Sequence, residues 1–166
     1  MPAMRIALLL LLVISSAAAV GCQGTRRETF EVSVVNEADA PVIAWLTKDG
    51  PPAEAGWLTP SQWLQLSEER SIPSDIPHPG LEIAPGMRAD IGPHEGRLSA
   101  ETSAVLLIYS TPVSLEEMAA TPRRTSLMEI VYLVPGQNFI VVRSAAPVRA
   151  ERVSRLERRP AGGESR

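Results

Sequence analysis

Residues 29–36 read TFEVSVVN, and this stretch indicates the fold class of the chain. Apolar residues alternate here with polar ones, and Glu31 and Ser33 are the polar members. An alternation with a period of two is typical of a β-strand that buries one face and exposes the other. The stretch therefore predicts a half-buried strand.

Other β-rich runs flank turn-forming residues. Residues 41–48 are predicted to be the antiparallel partner of the first strand, with proline at the strand start, where no hydrogen bond of the ladder is lost. Two short strands, at 81–83 and 87–91, are predicted around a Pro-Gly turn. Residues 127–134 and 139–143 surround a second Pro-Gly turn and are predicted to form a hairpin.

Residues 104–109 read AVLLIY and are apolar without alternation. Such a run predicts a central strand that is covered on both faces. Residues 147–152 are predicted to add a last strand or to begin a short helix. Two stretches with capping-box spacing, Thr59 to Gln62 and Ser114 to Glu117, predict short helices that run to about Arg70 and Ala120.

The composition agrees with a chain of short elements. The 166 residues include 15 prolines, 11 glycines, 7 aromatic residues and one cysteine, so no disulfide can form within the chain. The sequence predicts an all-β fold, a small antiparallel β-sandwich of immunoglobulin-like character over residues 29–153, with one or two short helices in its loops. The cysteine pair of true immunoglobulin domains is absent, and residues 154–166 are predicted to form a basic, disordered tail.

The N-terminus carries a targeting signal. Arg5 precedes an unbroken apolar run over residues 6–14, and small or apolar residues then lead to Cys22. The run is too short to span about 30 Å of hydrocarbon, which takes ~20 apolar residues. Its small-residue ending favours cleavage over permanent anchoring.

Residues 5–22 resemble the signal of bacterial lipoprotein precursors, which ends in a lipobox of small residues and a cysteine. The resemblance implies that residues 1–21 are a signal peptide, that Cys22 is the lipid attachment site and that residues 22–28 are a lipidated tether. The mature protein would then be exported and anchored to bacterial membrane lipid, on the periplasmic or extracellular side. The alternative is an ordinary secretory signal, cut near residues 17–19, that leaves Cys22 as a free thiol.

Charge is distributed unevenly along the mature chain. Residues 22–142 contain 16 acidic and 8 basic residues, whereas residues 143–166 contain 3 acidic and 7 basic ones. The basic end either contacts membrane phosphates, an acidic partner or the acidic face of the domain, or it is solvated. The chain has neither a glycine-rich phosphate loop nor a basic patch interleaved with aromatic residues, so we expect no cofactor and no nucleic acid partner.

The sequence predicts no catalytic residues and no metal site. No serine stands in a glycine-flanked strand-to-helix elbow. His78 and His94 are the only histidines, and both are assigned to loops. The alternative is a small hydrolase or a metal-dependent enzyme that uses the two histidines with nearby carboxylates.

All three tryptophans, Trp45, Trp57 and Trp63, lie within nineteen residues. They are the candidate binding surface, because each indole offers a large flat face and a hydrogen-bond donor to a glycan or peptide. The alternative is that they are buried and hold the proline-rich middle of the chain onto the domain.

These features predict a membrane-anchored envelope lipoprotein that acts as a non-catalytic binding or structural module. An envelope protein or a glycan is the expected partner. A further hypothesis is an accessory subunit whose exposed strand edge pairs with a partner.

Overall fold

The computed structural model describes residues 24–69, 80–121 and 125–154. This part of the chain forms eight strands, two helices and a 3-10 turn at Ala55–Trp57. The strands are β1 Arg26–Asn36, β2 Val42–Lys48, β3 Gly80–Ile83, β4 Arg88–Leu98, β5 Ala104–Ser110, β6 Met128–Tyr132, β7 Gly136–Ala145 and β8 Val148–Val153, and the helices are α1 Pro60–Glu68 and α2 Leu115–Ala120.

The strands form two sheets of four. Sheet A has the order β4-β1-β7-β8, and sheet B has the order β3-β2-β5-β6. All neighbours are antiparallel except β1 and β7, which run parallel. The predicted all-β sandwich with two short helices is confirmed. The likeness to an immunoglobulin domain is limited to the two-layer architecture, because immunoglobulin sheets place the first two strands side by side, whereas β1 and β2 lie in different sheets here.

The core between the sheets is formed by inward side chains of both. In β1, burial alternates as predicted, with Phe30 buried, Glu31 exposed and Val32 buried again. Side chains from β7 of the same sheet and from β2 and β5 of the facing sheet complete an almost entirely aliphatic layer. Its largest fully buried members are Phe30, Leu46, Leu106, Ile108 and Ile140.

The outward face of sheet B is also covered, because α1 and α2 pack on it. Trp45 from β2, Tyr109 from β5 and Met128 from β6 form an apolar layer with Trp63 of α1 and Met118 of α2. The central strand β5 is therefore buried on both faces, as its unbroken apolar run predicts.

Both helices begin where the capping boxes predict. Thr59 and Gln62 bond to each other's backbone at the start of α1, and Ser114 and Glu117 do the same at the start of α2. The first helix ends at Glu68 rather than near residue 70. Of the two alternatives for residues 147–152, the structure has the strand, β8.

The predicted pairing of neighbouring strands is wrong. β1 and β2, predicted as antiparallel partners, lie in opposite sheets, and so do β6 and β7, predicted as a hairpin. The two strands around the first Pro-Gly turn, β3 and β4, are divided in the same way. The turn residues reverse the chain in each case, but the reversal carries it across the sandwich, from one sheet to the facing one.

Two buried asparagines form hydrogen bonds close to the places where the chain passes from one sheet to the other. The Asn36 amide donates to the carbonyl oxygens of Ala40 and Ile83, both at 2.9 Å, and its oxygen accepts from the Ala38 N–H at 3.0 Å. Asn138 is bonded in the same manner to both polar groups of the Val134 backbone, at 2.8 and 2.9 Å. Because buried polar groups without partners are costly, these networks fix the path of each crossing.

Candidate functional site

The three tryptophans lie in two different layers. Trp57 is buried between the sheets, whereas Trp45 and Trp63 are buried in the outer layer, where their ring centroids are 6.4 Å apart in an edge-to-face arrangement. Their exposed fractions are 3%, 0% and 8%, respectively. No indole presents its face to solvent. The placement therefore supports the alternative that the tryptophans hold the proline-rich middle of the chain onto the domain, and binding by these residues stays a prediction.

Indole hydrogen bonds attach the proline-rich loop to the sandwich. Trp45 Nε1 donates to the Leu58 carbonyl at 2.8 Å, and Trp57 Nε1 donates to the Glu95 carbonyl at 2.8 Å. The hydroxyl of Thr47 donates to the Trp57 carbonyl, also at 2.8 Å. The loop is thus bonded to β2 on one side and to β4 on the other.

A buried ion pair lies next to this loop, at the end of the sandwich where β1 begins and β4 ends. The Lys48 ammonium, only 2% exposed, bonds to the Glu54 carboxylate and donates to the Arg97 carbonyl at 2.9 Å. Glu54 also accepts from the Arg97 backbone at 2.9 Å and from its guanidinium at 3.1 Å. Partial burial raises the pKa of Glu54, but the hydrogen bonds from Lys48 and Arg97 outweigh it and lower the pKa from 4.5 to about 2. All partners are satisfied within the protein, which indicates a structural clamp.

The histidines do not form a site within the described residues. His94 lies in β4 rather than in a loop, and its Nε2 is 3.2 Å from the Gly56 carbonyl oxygen. Its ring packs edge to face on Trp57, with centroids 5.6 Å apart. His78 and Cys22 lie outside the described residues. Within residues 24–69, 80–121 and 125–154, no three histidine, cysteine or acidic side chains are grouped closely enough to hold a metal ion.

A cavity of about 190 Å³ opens on the outward face of sheet B, between the start of α1 and the end of α2. Its polar lining residues besides the tyrosines are Thr47, Lys48, Asp49, Thr59, Ser61 and Thr121. Its apolar walls come from β5, β6 and α2, namely Val105, Leu107, Tyr109, Met118, Met128 and Ile130. Sequence reasoning missed this site, because it placed Tyr109 in a strand covered on both faces, and no local motif links β5, α2 and β6.

The Tyr109 side chain is one of several polar groups of this cavity. The residue is 2% exposed, and its hydroxyl forms no hydrogen bond with any residue that the structure describes. Because no buried side-chain oxygen or nitrogen of the described residues lacks a partner, this hydroxyl is in contact with solvent. Burial raises the pKa of this phenol to about 12. The hydroxyl therefore stays protonated and remains available as a donor.

Strand β6, which lines the cavity, is an edge of sheet B. The bonds from Ser110 N to Leu127 O and from Leu133 N to Ala104 O, both 3.0 Å, fix which residues of β6 face β5. By the alternation of an antiparallel ladder, the backbone groups of Ile130 and Tyr132 point away from β5. No described residue is bonded to these groups, and the Tyr132 side chain is 58% exposed.

Comparison with known proteins gives two structural likenesses. No protein-family model matches the chain, and no curated protein matches its sequence. The type VI secretion system lipoprotein TssJ1 from Pseudomonas aeruginosa is 12% identical with a TM-score of 0.36, over 80% of this chain and 99% of that one. Lip of Serratia marcescens, a membrane-bound component of the type VI secretion system, is 10% identical with a TM-score of 0.34, over 80% of this chain and 100% of that one. Likeness at this level carries nothing about activity or partner.

Proposed function

We propose that the chain is an exported lipoprotein of the bacterial envelope, anchored by an acylated Cys22, whose sandwich is a non-catalytic binding or structural module. The observation that carries the proposal is the sequence of residues 5–22, an apolar run that ends in small residues and the only cysteine of the chain. Two or three acyl chains, at ~0.8 kcal/mol per buried methylene, anchor a protein durably, unlike a single chain.

The folded domain begins very close to the proposed anchor. β1 starts at Arg26, so this strand includes residues 26–28, which are predicted from the sequence to belong to the tether. Four residue steps separate Cys22 from Arg26, and a fully extended chain covers at most about 14 Å over that length. The anchor therefore holds the sandwich against the bilayer surface.

This short tether selects the end of the sandwich that faces the membrane. The first residues of β1 lie beside the last residues of β4, where Arg26 is paired with Leu98. The Lys48–Glu54 clamp lies at the same end. The opposite end, which carries the turn between β7 and β8, is then directed away from the bilayer and toward an envelope protein or glycan.

Arginines at the membrane-facing end add to the anchor. Arg26 and Arg27 are exposed, and Arg27 lies 3.6 Å from Glu95 in a solvated pair. Near an anionic membrane surface each basic residue contributes ~1 kcal/mol. Neither helix in the described part of the chain is long and apolar enough to cross a bilayer.

Replacement of Cys22 tests the anchor. In a bacterial host fed labelled fatty acid, Cys22→Ala is expected to remain an unlabelled precursor of full length. The matched control Gln23→Ala keeps the cysteine and is expected to be labelled and shortened like the wild type. Normal maturation of Cys22→Ala, together with an unlabelled wild type, would show that an ordinary secretory signal is present instead.

A further inference from the structure

Strand β6 is the least protected of the four strands that lie at the edges of the sheets. β4 contains Pro93 and a register irregularity, β8 has charged side chains at three of its six positions, and β3 covers only four residues. Proline, charge, irregular register and short length are the features that keep an edge strand from pairing. β6 pairs regularly with β5, its bonds to that strand extend from Leu127 to Leu133, and the stretch 127–134 has Glu129 as its one charge.

This edge exposes both apolar side chains and backbone groups. Leu127, Tyr132 and Val134 are three of the five large apolar side chains that are exposed in the described part of the chain. The N–H and C=O groups of Ile130 and Tyr132 point away from β5 and are bonded to no described residue. A row of such groups is a template on which an extended segment adds as a further strand.

A groove of about 550 Å³ follows the free edge of β6. Clefts that bind ligands have volumes of about 300–1,000 Å³. One wall of the groove consists of β6 side chains, and the other includes Pro147 and Arg149. Pro147 belongs to the turn between β7 and β8, so the groove reaches the end of the sandwich that is proposed above to point away from the bilayer.

Two arginines of β8 give this groove an excess of positive charge. Arg149 is 3.5 Å from Glu129, and the two side chains are 66% and 33% exposed. Arg152 lies opposite the buried Ile140, so it points to the side of sheet A that faces sheet B, whereas Glu151 points to the other side. Arg152 is exposed, and no described residue forms an ion pair or a hydrogen bond with it. One carboxylate therefore accompanies two guanidinium groups, and an acidic group of a partner would balance the charge.

We propose that β6 binds an extended segment of another envelope protein, which adds to sheet B as a fifth strand. Apolar side chains of this segment lie beside Ile130 and Tyr132, and an acidic side chain lies beside the two arginines of the groove. A second copy of this chain would bring the same excess of arginines to the edge, so its charge does not complement the groove. The proposal rests on the binding role proposed above and names its surface. Because labelling of Cys22 and binding at β6 are measured separately, the failure of one is distinguishable from the failure of the other.

The probe is a blocked heptapeptide, Thr-Val-Thr-Val-Asp-Val-Thr, whose valines share one face of a strand while the aspartate lies on the other. It is titrated into the full chain in detergent, and amide hydrogen exchange is followed by NMR. At saturation, the N–H groups of Ile130 and Tyr132 are expected to exchange at least about 10-fold more slowly. The N–H of Val131 faces β5 and is already protected, so it reports any general change in stability.

Two altered peptides test the backbone and the charge. Proline in place of the central valine removes a donor of the new ladder and is expected to abolish the protection. Asparagine in place of the aspartate is expected to bind about 2- to 5-fold more weakly, as for the loss of a solvent-accessible ion pair.

Three variants test the protein side. Arg152→Glu is expected to weaken binding of the aspartate peptide at least about 5-fold and to bind the same peptide more tightly when lysine replaces the aspartate. Arg88→Glu makes the same change of charge on the outward face of sheet A, outside the groove, and is expected to bind like the wild type. Ile130→Pro removes a donor that no described residue uses, on an edge strand where proline is tolerated, so it is expected to fold with Val131 protected and to lose binding.

Four results would overturn the proposal. The first three are unchanged exchange at Ile130 and Tyr132 at the highest peptide concentration, protection by the proline peptide, and equal affinities of the wild type for the aspartate and lysine peptides. The fourth is protection of the same amides without peptide together with sedimentation as a dimer, which would show that a second copy occupies the edge.

Discussion

Sheet A and sheet B contain four strands each, but among the described residues sheet B is packed on both faces and sheet A on only one. On the outward face of sheet B, Trp45 and Tyr109 are buried beneath the helices. On the outward face of sheet A, Glu31, Arg88 and Asp90 are exposed. The two sheets thus offer different surfaces, a polar one on sheet A and a covered one with a cavity on sheet B.

This difference is visible in the sequence of the strands. β1 alternates between apolar and polar residues because only one of its faces meets the core. β2 and β5 read VIAWLTK and AVLLIYS without such alternation, because both of their faces are covered. A strand without alternation therefore indicates that a second layer exists, even where the sequence does not show what forms it.

The largest expected effect comes from removing the cover of sheet B. Trp63→Ala truncates the large side chain that packs edge to face on Trp45, and we expect a loss of ~3 to 5 kcal/mol in the free energy of unfolding. The urea midpoint measures this loss. Gln65→Ala, on the exposed side of the same helix, is the matched control and is expected to change stability by less than about 0.5 kcal/mol.

Trp57→Ala extends the comparison to the core between the sheets. This tryptophan is slightly more buried than Trp63 and packs against Phe30, with ring centroids 5.6 Å apart. We expect a loss of similar size. If the urea midpoints of both alanine variants are close to that of the wild type, the tryptophans do not hold the proline-rich loop in place, and a recognition surface is favoured.

The sequence predicts features that are determined by neighbouring residues, but it does not predict which distant strands pair. Local signals succeeded: the alternation of β1, the unbroken run of β5 and both capping boxes describe the structure correctly. Pairing failed, because a turn sequence specifies that the chain reverses and not whether the next strand pairs edge to edge or faces its predecessor. The buried Asn36 and Asn138 are what distinguish these outcomes here, and an asparagine beside a turn looks the same in both.

The same difference between neighbouring and distant residues applies to the candidate site. The tryptophan cluster is local in sequence and was found, although its members divide between two layers. The cavity is formed by residues from β5, α2 and β6 that have no common spacing, so only the fold brings them together. Nothing in the sequence shows that the Tyr109 hydroxyl has no hydrogen-bond partner among the described residues.

An intermediate effect is expected at the end of the sandwich where β1 begins, where Glu54 neutralises the buried Lys48. Glu54→Gln leaves the ammonium without its carboxylate, and we expect a loss of about 2 to 3 kcal/mol at pH 7. Because the pKa of Glu54 is lowered to about 2 in the folded state, its stabilising contribution is complete above pH 4.5 and is lost as the pH falls toward 2. Urea midpoints between pH 7 and pH 2 should therefore fall more steeply for the wild type than for the variant, and parallel profiles would contradict the clamp.

The smallest effect is expected on the open face of sheet A, where Asp90 is the exposed counterpart of Glu54. Hydrogen bonds from Ser33 and Arg88 lower the pKa of Asp90, so both carboxylates are bonded to an arginine and both stay ionised near neutral pH. The difference lies in what each charge faces. The Asp90 side chain is 64% exposed and that of Arg88 is 53% exposed, so water solvates either group when the other is removed, whereas Lys48 has no such access. Asp90→Ala should accordingly change the free energy of unfolding by less than about 0.5 kcal/mol, and this small difference should shrink further in 1 M salt, where the screening length is only about 3 Å. A loss comparable to that of Glu54→Gln would mean that the outward face of sheet A is covered by something and that the contrast between the sheets does not hold.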